Sequence, residues 1–244
     1  MIALRALPFA LCALVALPAA ALAQTQESNA ARNASEAHER DRPHTMVSLS
    51  AGLLSLPAAN VCPRSRTSCE KGETSLSLGL YNQYRFGRFA LGASVTWGTS
   101  LLSGTAPGAP ELERVHTRNY FLVEGQGRYY AIRTNRWEWW GGITVGGVVV
   151  RDAWNVDADR NPYSDVAFVG PRAATLSTEG LAAGVGLGGE WTFAPNWSVG
   201  TTLRYASWFL PSEPKQSPTG DSASLSGRVD MLDFGLVIAY RIAL

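Results

Sequence analysis

Lysine is nearly missing from this 244-residue chain: Lys71 and Lys215 are the whole supply. A water-soluble β-protein ordinarily wears many Lys and Glu on its outer face, so the scarcity argues against a soluble barrel, and both lysines stand in segments that read as loops. Excess charge of one sign is missing too. Lys and Arg total 21 against 20 Asp and Glu, a formal charge of +1; a nucleic-acid partner calls for a basic patch, so none is expected. After residue 23 no apolar run is long enough for a membrane-spanning helix. Histidine is limited to His38, His44 and His116, and cysteine to Cys12, Cys62 and Cys69. With no His between Cys62 and Cys69 the pair makes a poor zinc site, and no metal or cofactor is expected. The mean hydropathy is close to zero. That value is compatible with membrane strands, whose lipid-facing and lumen-facing halves cancel in the average.

What is present begins with an export signal. Met1 to Arg5 is a short positive start, Ala6 to Ala20 an apolar run broken by Pro8 and Pro18, and Ala21-Leu22-Ala23 a small-residue cleavage pattern. Residues 1–23 are therefore expected to be removed. Cys12 lies inside the apolar run behind Leu11, which does not fit a lipoprotein. Residues 24–44 are polar and charged, with Glu27, Arg32, Glu36, Glu39, Arg40, Asp41 and Arg42, and read as a leader without strand pattern. Export exposes Cys62 and Cys69 to an oxidising compartment, where a disulfide closing their short loop is expected.

From residue 45 the dominant pattern has period two. At the C-terminal end Leu232, Phe234, Leu236, Ile238, Tyr240, Ile242 and Leu244 share one face; Met231, Asp233, Gly235, Val237, Ala239, Arg241 and Ala243 share the other. A strand sends successive side chains to opposite faces, so one face is bulky and apolar and the other small or charged. The pattern recurs at Val47–Leu53, Leu76–Leu80, Phe89–Trp97, Phe121–Tyr129, Trp137–Val149, Leu181–Phe193 and Trp197–Tyr205. Leu122 is a bulky residue on the otherwise polar face of its strand. Eight strands result. Short connections near Phe86-Gly87, Thr134-Asn135 and Ala194-Pro195-Asn196 alternate with long ones over 55–73, 100–114, 152–177 and 211–226. Aromatic residues form two groups: Tyr84, Phe89, Trp137, Trp139, Trp191, Phe193 and Trp197 by the short turns, and Trp97, Trp154, Trp208 and Phe209 by the long loops, as at two membrane interfaces.

Bulk decides which face looks out. A narrow barrel interior only just holds ordinary side chains, so the many Leu, Ile, Phe and Trp must face lipid, while Gly, Ser and Thr with a few ions face inward. The expected fold is all-β: an eight-stranded antiparallel up-and-down transmembrane β-barrel over 45–244, monomeric, with both termini periplasmic.

The alternating strands, the short and long connections and the C-terminal pattern resemble the small outer-membrane β-barrel proteins, such as the transmembrane domain of outer-membrane protein A and its stand-alone eight-stranded relatives. The resemblance spans residues 45–244. It implies a bacterial outer-membrane location, contact with membrane lipid and lipopolysaccharide, and reading of the last strand by the barrel-assembly machinery. Tyr240, Ile242 and Leu244 occupy the positions of that assembly signal, with Leu where the family usually ends in an aromatic residue.

The polar face carries Glu124, Arg128, Glu138, Glu190, Arg204, Asp233 and Arg241. Buried charges need partners; Arg204 with Asp233 and Glu190 with Arg241 are the pairs expected. A network that fills the lumen is the favoured reading, and a small polar channel is the alternative. The resemblance also brings in lipid A-modifying enzymes, but no Ser flanks His116, and hydrolysis needs a Ser–His pair with an acidic orienter. No catalytic residue is therefore assigned. Asp157, Asp159 and Asn161 are spaced like the start of a calcium loop, but Pro162 replaces the glycine and no Glu closes it. Arg64, Arg66 and Lys71 lie where an external loop would meet lipopolysaccharide phosphates. The expected role is non-enzymatic: envelope structure, or surface interaction through the long loops. Narrow transport of small or apolar solutes ranks second, and lipid A modification third.

Overall fold

A computed structural model describes residues 42–61, 70–101, 104–107, 113–156, 173–217 and 222–243. The signal and most of the leader, Cys62, Cys69, Arg64, Arg66, Asp157, Asp159, Asn161 and Leu244 lie outside the described residues.

Eight strands build the molecule: β1 (His44–Ser55), β2 (Thr74–Phe86), β3 (Phe89–Ser100), β4 (Glu113–Arg133), β5 (Trp137–Val156), β6 (Ala173–Ala194), β7 (Trp197–Phe209) and β8 (Arg228–Ala243). Each pairs antiparallel with the next, and β8 returns to β1 with His44 opposite Ala243 and Ser55 opposite Leu232. The ring is closed, so spanning backbone groups find partners in the ladder; hydrocarbon, which offers no hydrogen bonds, requires this. Two additions sit at the end with the long connections, the loop end. Asn60–Val61 pairs with Glu70–Lys71, and Gly104–Pro107 extends the sheet beyond β4.

Period two in the sequence becomes inside and outside in the structure. β2 alternates exposed and buried residues along its whole length. On β8, Leu232, Phe234, Leu236, Ile238, Tyr240 and Ile242 are all exposed, Leu236 to 63%. Leu49, Leu78, Leu91, Val123, Ile143, Val185 and Leu203 continue the exposed apolar surface round the other strands. A continuous apolar belt far exceeds what a monomer shows to water; the fold is an up-and-down transmembrane β-barrel. Among the described residues no helix is long and apolar enough to cross a membrane.

Close approach of neighbouring strands needs glycine at particular inward positions. A Cβ on Gly146 of β5 would lie 2.0 Å from the Val123 carbonyl oxygen of β4, and one on Gly52 of β1 2.0 Å from that of Phe234 on β8. No side chain is accommodated at that distance without moving backbone.

β4, β5 and β6 have 21, 20 and 22 residues, about twice the 9–11 that cross a bilayer. The expectation that 152–177 is a loop is thus corrected: the ladder runs on to Asn155 opposite Ala173. In the extension the outward row turns polar, with Asn119, Arg151 and Ser177 side by side across three strands. A change of solvent ends the apolar alternation there; the backbone pairing continues.

Candidate functional site

The interior is the candidate site, and it is layered. At the end with the short connections, the turn end, Glu138 of β5 receives both terminal nitrogens of Arg85 from β2, at 2.7 and 2.8 Å. Arg241 Nη2 of β8 adds a bond of 3.0 Å and Arg133 Nε of β4 one of 3.4 Å. A bulge between Tyr130 and Ile132 places Arg133 opposite Glu138. Arg128 pairs with Glu190 at 3.7 Å. The guanidinium of Arg85 lies 3.9 Å from the centre of the Tyr130 ring, and that of Arg128 3.8 Å from Trp140. These planes supply the cations with polarizable faces where water is excluded. Bidentate Arg–carboxylate geometry is the strongest form such a pair takes.

At mid-height Arg204 of β7 pairs with Glu124 of β4, and Asp233 accepts a 2.8 Å hydrogen bond from Ser77 Oγ. All seven predicted polar residues, Glu124, Arg128, Glu138, Glu190, Arg204, Asp233 and Arg241, are buried. Their pairing differs from expectation. Arg204 stands opposite Asp233 in the ladder yet reaches Glu124, and Arg241 reaches Glu138 while Glu190 takes Arg128. The lumen is narrow, so a long guanidinium side chain crosses it as readily as it meets its lateral neighbour.

Above this polar half lies an apolar layer that the rule of small residues inward did not foresee. Leu54, Tyr120, Leu122, Val148, Val150, Trp208 and Met231 face inward and form one buried cluster with Leu56, Ala59, Val61, Leu210 and Leu225. Tyr120 and Leu122 share the polar face of their strand because they belong to this layer. The placement of Trp154 and Trp208 in an interfacial band is likewise corrected: both are fully buried.

A second polar cluster closes the loop end. Asp152 of β5 is its centre, accepting from Arg118 Nε at 3.1 Å, from Ser224 Oγ at 2.6 Å and from the Ser224 backbone N–H at 3.0 Å, with His116 Nε2 at 2.8 Å. Arg118 also pairs with Glu73, which accepts from Tyr120 Oη at 2.7 Å. His116 stacks on Trp154, ring centres 4.8 Å apart. Here the structure gathers Ser, His and Asp that are far apart in sequence. The order is not that of a hydrolase, because Ser224 Oγ bonds to the carboxylate, whereas a nucleophile must give its proton to the imidazole.

Arg85, Trp140, Glu73, Asp152 and Ser224 escaped sequence reading. For Arg85 and Trp140 a signal existed: each keeps step with the inward residues, Arg85 with Gly79 and Tyr81, Trp140 with Glu138 and Gly142.

These features define the class: a small closed transmembrane barrel with buried ion pairs in its interior. No family model matches the chain, and no curated protein matches it either. Among solved structures the chain is similar to Neisserial surface protein A, at a TM-score of 0.51 and 9% identity, over 82% of this chain and 97% of that one. It also aligns with Ail, the attachment invasion locus protein of Yersinia pestis (TM-score 0.42, 12% identity, 83% and 99%), and with the outer membrane protein OprG of Pseudomonas aeruginosa (0.43, 12%, 83% and 98%). At such identities the likeness is one of fold. The architecture is that of the small eight-stranded outer-membrane barrels.

Proposed function

We propose that this protein is a sealed, monomeric barrel of the bacterial outer membrane that serves envelope structure or surface interaction through its loop end, with no enzymatic activity. The apolar layer carries this reading. An apolar constriction lined by Leu54, Leu122, Val148, Trp208 and Met231 opposes the passage of ions and water, and ion pairs cross the polar half below it. The long β4–β6 extension supports a role beyond the bilayer, since it carries the paired backbone past the apolar belt. The alternation of short and long connections supports periplasmic termini and external loops. The exposed belt supports lipid as the lateral partner, with lipopolysaccharide at the loop end. Tyr240 and Ile242 point outward on the last strand, where assembly machinery would read them.

The test is conductance of the purified full chain in planar lipid bilayers. The expected record is flat across the voltage range; reproducible stepwise openings would replace this reading with the narrow-channel one.

A further inference from the structure

On the outer surface of the loop end, Lys215 pairs with Glu179 at 2.5 Å and Arg228 with Asp230 at 3.3 Å. Arg151 of β5 has no such partner. It is exposed and points outward, and its guanidinium makes no ion pair among the described residues.

Its height on the barrel follows from its strand. Residues 139–149 number eleven, a full crossing for a tilted strand, which takes about 9–11. The crossing begins at Trp139 and ends in a row where Trp97, Phe121 and Val149 stand side by side on β3, β4 and β5. Trp97 and Phe121 are exposed, and tryptophan settles where hydrocarbon gives way to headgroups. Arg151 follows two residues later, about 7 Å along the strand and about 5 Å higher at a tilt of roughly 45°. The headgroup zone is about 5–7 Å deep on each side of a bilayer, so the guanidinium stands at the level of lipid phosphates.

Its neighbours complete a cradle. Asn119 of β4 and Ser177 of β6 are its ladder partners, one on each side, and both face outward. They add an amide and a hydroxyl donor to the guanidinium fork, which fits two oxygens of a phosphate. Glu179, across from Val149 on the same face, is held by Lys215, which also donates to the Ser177 carbonyl at 2.7 Å. That carboxylate is already matched, and the charge of Arg151 is left over. A cation at the edge of hydrocarbon takes its counter-charge from the headgroups.

We propose that Arg151, flanked by Asn119 and Ser177, binds the phosphate of a lipid headgroup in the leaflet at the loop end, with the acyl chains against Trp97, Phe121 and Val149. The occupant is a phosphomonoester headgroup, which brings negative charge without the cation that a choline headgroup carries. The inference deepens the lipid-facing part of the proposed function and rests on it.

The test uses the full chain in a non-ionic detergent, titrated with phosphatidic acid and followed by native mass spectrometry. Arg151→Ala is expected to bind the first phosphatidic acid about fivefold more weakly than the wild type. Arg151→Lys, which keeps the charge and loses the fork, should bind about twofold more weakly. Arg136→Ala removes an exposed cation of the turn end and should match the wild type. Diacylglycerol, which lacks the phosphate, should not distinguish the variants. Wild-type affinity in Arg151→Ala would overturn the site, as would an equal loss in Arg136→Ala, which would reduce the effect to net charge. Should Arg151→Ala not fold, by heat-modifiable migration on gels, wild-type affinity in Arg151→Lys would overturn it instead. Displacement of the lipid by millimolar inorganic phosphate would overturn the lipid source in favour of a soluble anion. A wild-type protein that leaves phosphatidylcholine vesicles for buffer would defeat the membrane reading itself, a result separate from any change in phosphatidic acid affinity.

Discussion

Glu138 ties the turn end together because guanidinium groups from three strands converge on one carboxylate. Arg85, Arg133 and Arg241 come from β2, β4 and β8, and Glu138 itself is only 1% exposed. Removing one partner of a buried ion pair costs about 3–5 kcal/mol, since the other charge stays behind unpaired. Glu138→Gln is expected to lose stability of that order, read as a lower urea midpoint for vesicle-embedded protein. A midpoint equal to that of the wild type would mean the cluster contributes little. Arg128, Glu138, Glu190 and Arg241 are legible as inward-facing from parity, but their partners are not, and Arg133 is hidden by the bulge that shifts it off the parity of its strand. Strand register identifies lateral neighbours, whereas Arg241–Glu138 and Arg204–Glu124 join strands that are not neighbours in the ladder. Asp152 was illegible for a different reason: it follows the Val148-Val149-Val150 run at a point where the sequence reads as loop.

At the scale of the strand, β5 shows the whole logic. Trp137, Trp139, Ile143 and Val145 look out, Ile143 and Val145 at 68% and 67% exposure, while Glu138, Trp140, Gly142, Thr144 and Gly146 look in. An arginine on the lipid face near mid-bilayer costs about 2–4 kcal/mol, so Val145→Arg should lower the folded fraction in vesicles, measured by heat-modifiable migration on gels. A folded yield equal to that of the wild type would place Val145 away from hydrocarbon. Alternation made the facing of such strands readable. It did not fix their ends, because the outward row of Asn119, Arg151 and Ser177 loses its apolar character while the backbone ladder continues. Nor did it reveal the inner apolar layer: where both faces are apolar, as at Phe121 and Leu122, period two names the faces without saying which is wet, lipidic or dry.

Over its described residues the barrel is a ring of eight strands with a graded interior: ion pairs at the turn end, an apolar layer above and a polar cluster at the loop end. Closure removes the free edges that would otherwise invite pairing with other chains. The apolar layer lies between the ion pairs of the turn end and the polar cluster around Asp152. The strand count, the alternation of connections and the belt followed from sequence; the division of the lumen needed the contact of side chains separated by scores of residues, such as Leu54 with Trp208 in one cluster.

Trp139 and Trp140 are consecutive on β5, one 48% exposed on the belt and the other 6% exposed beneath Arg128. Variants retaining one or the other as the sole tryptophan, reconstituted in lipids with brominated acyl chains, report directly which face meets hydrocarbon. Strong quenching of Trp139 with Trp140 spared is the predicted result; equal quenching, or the reverse order, would contradict the account.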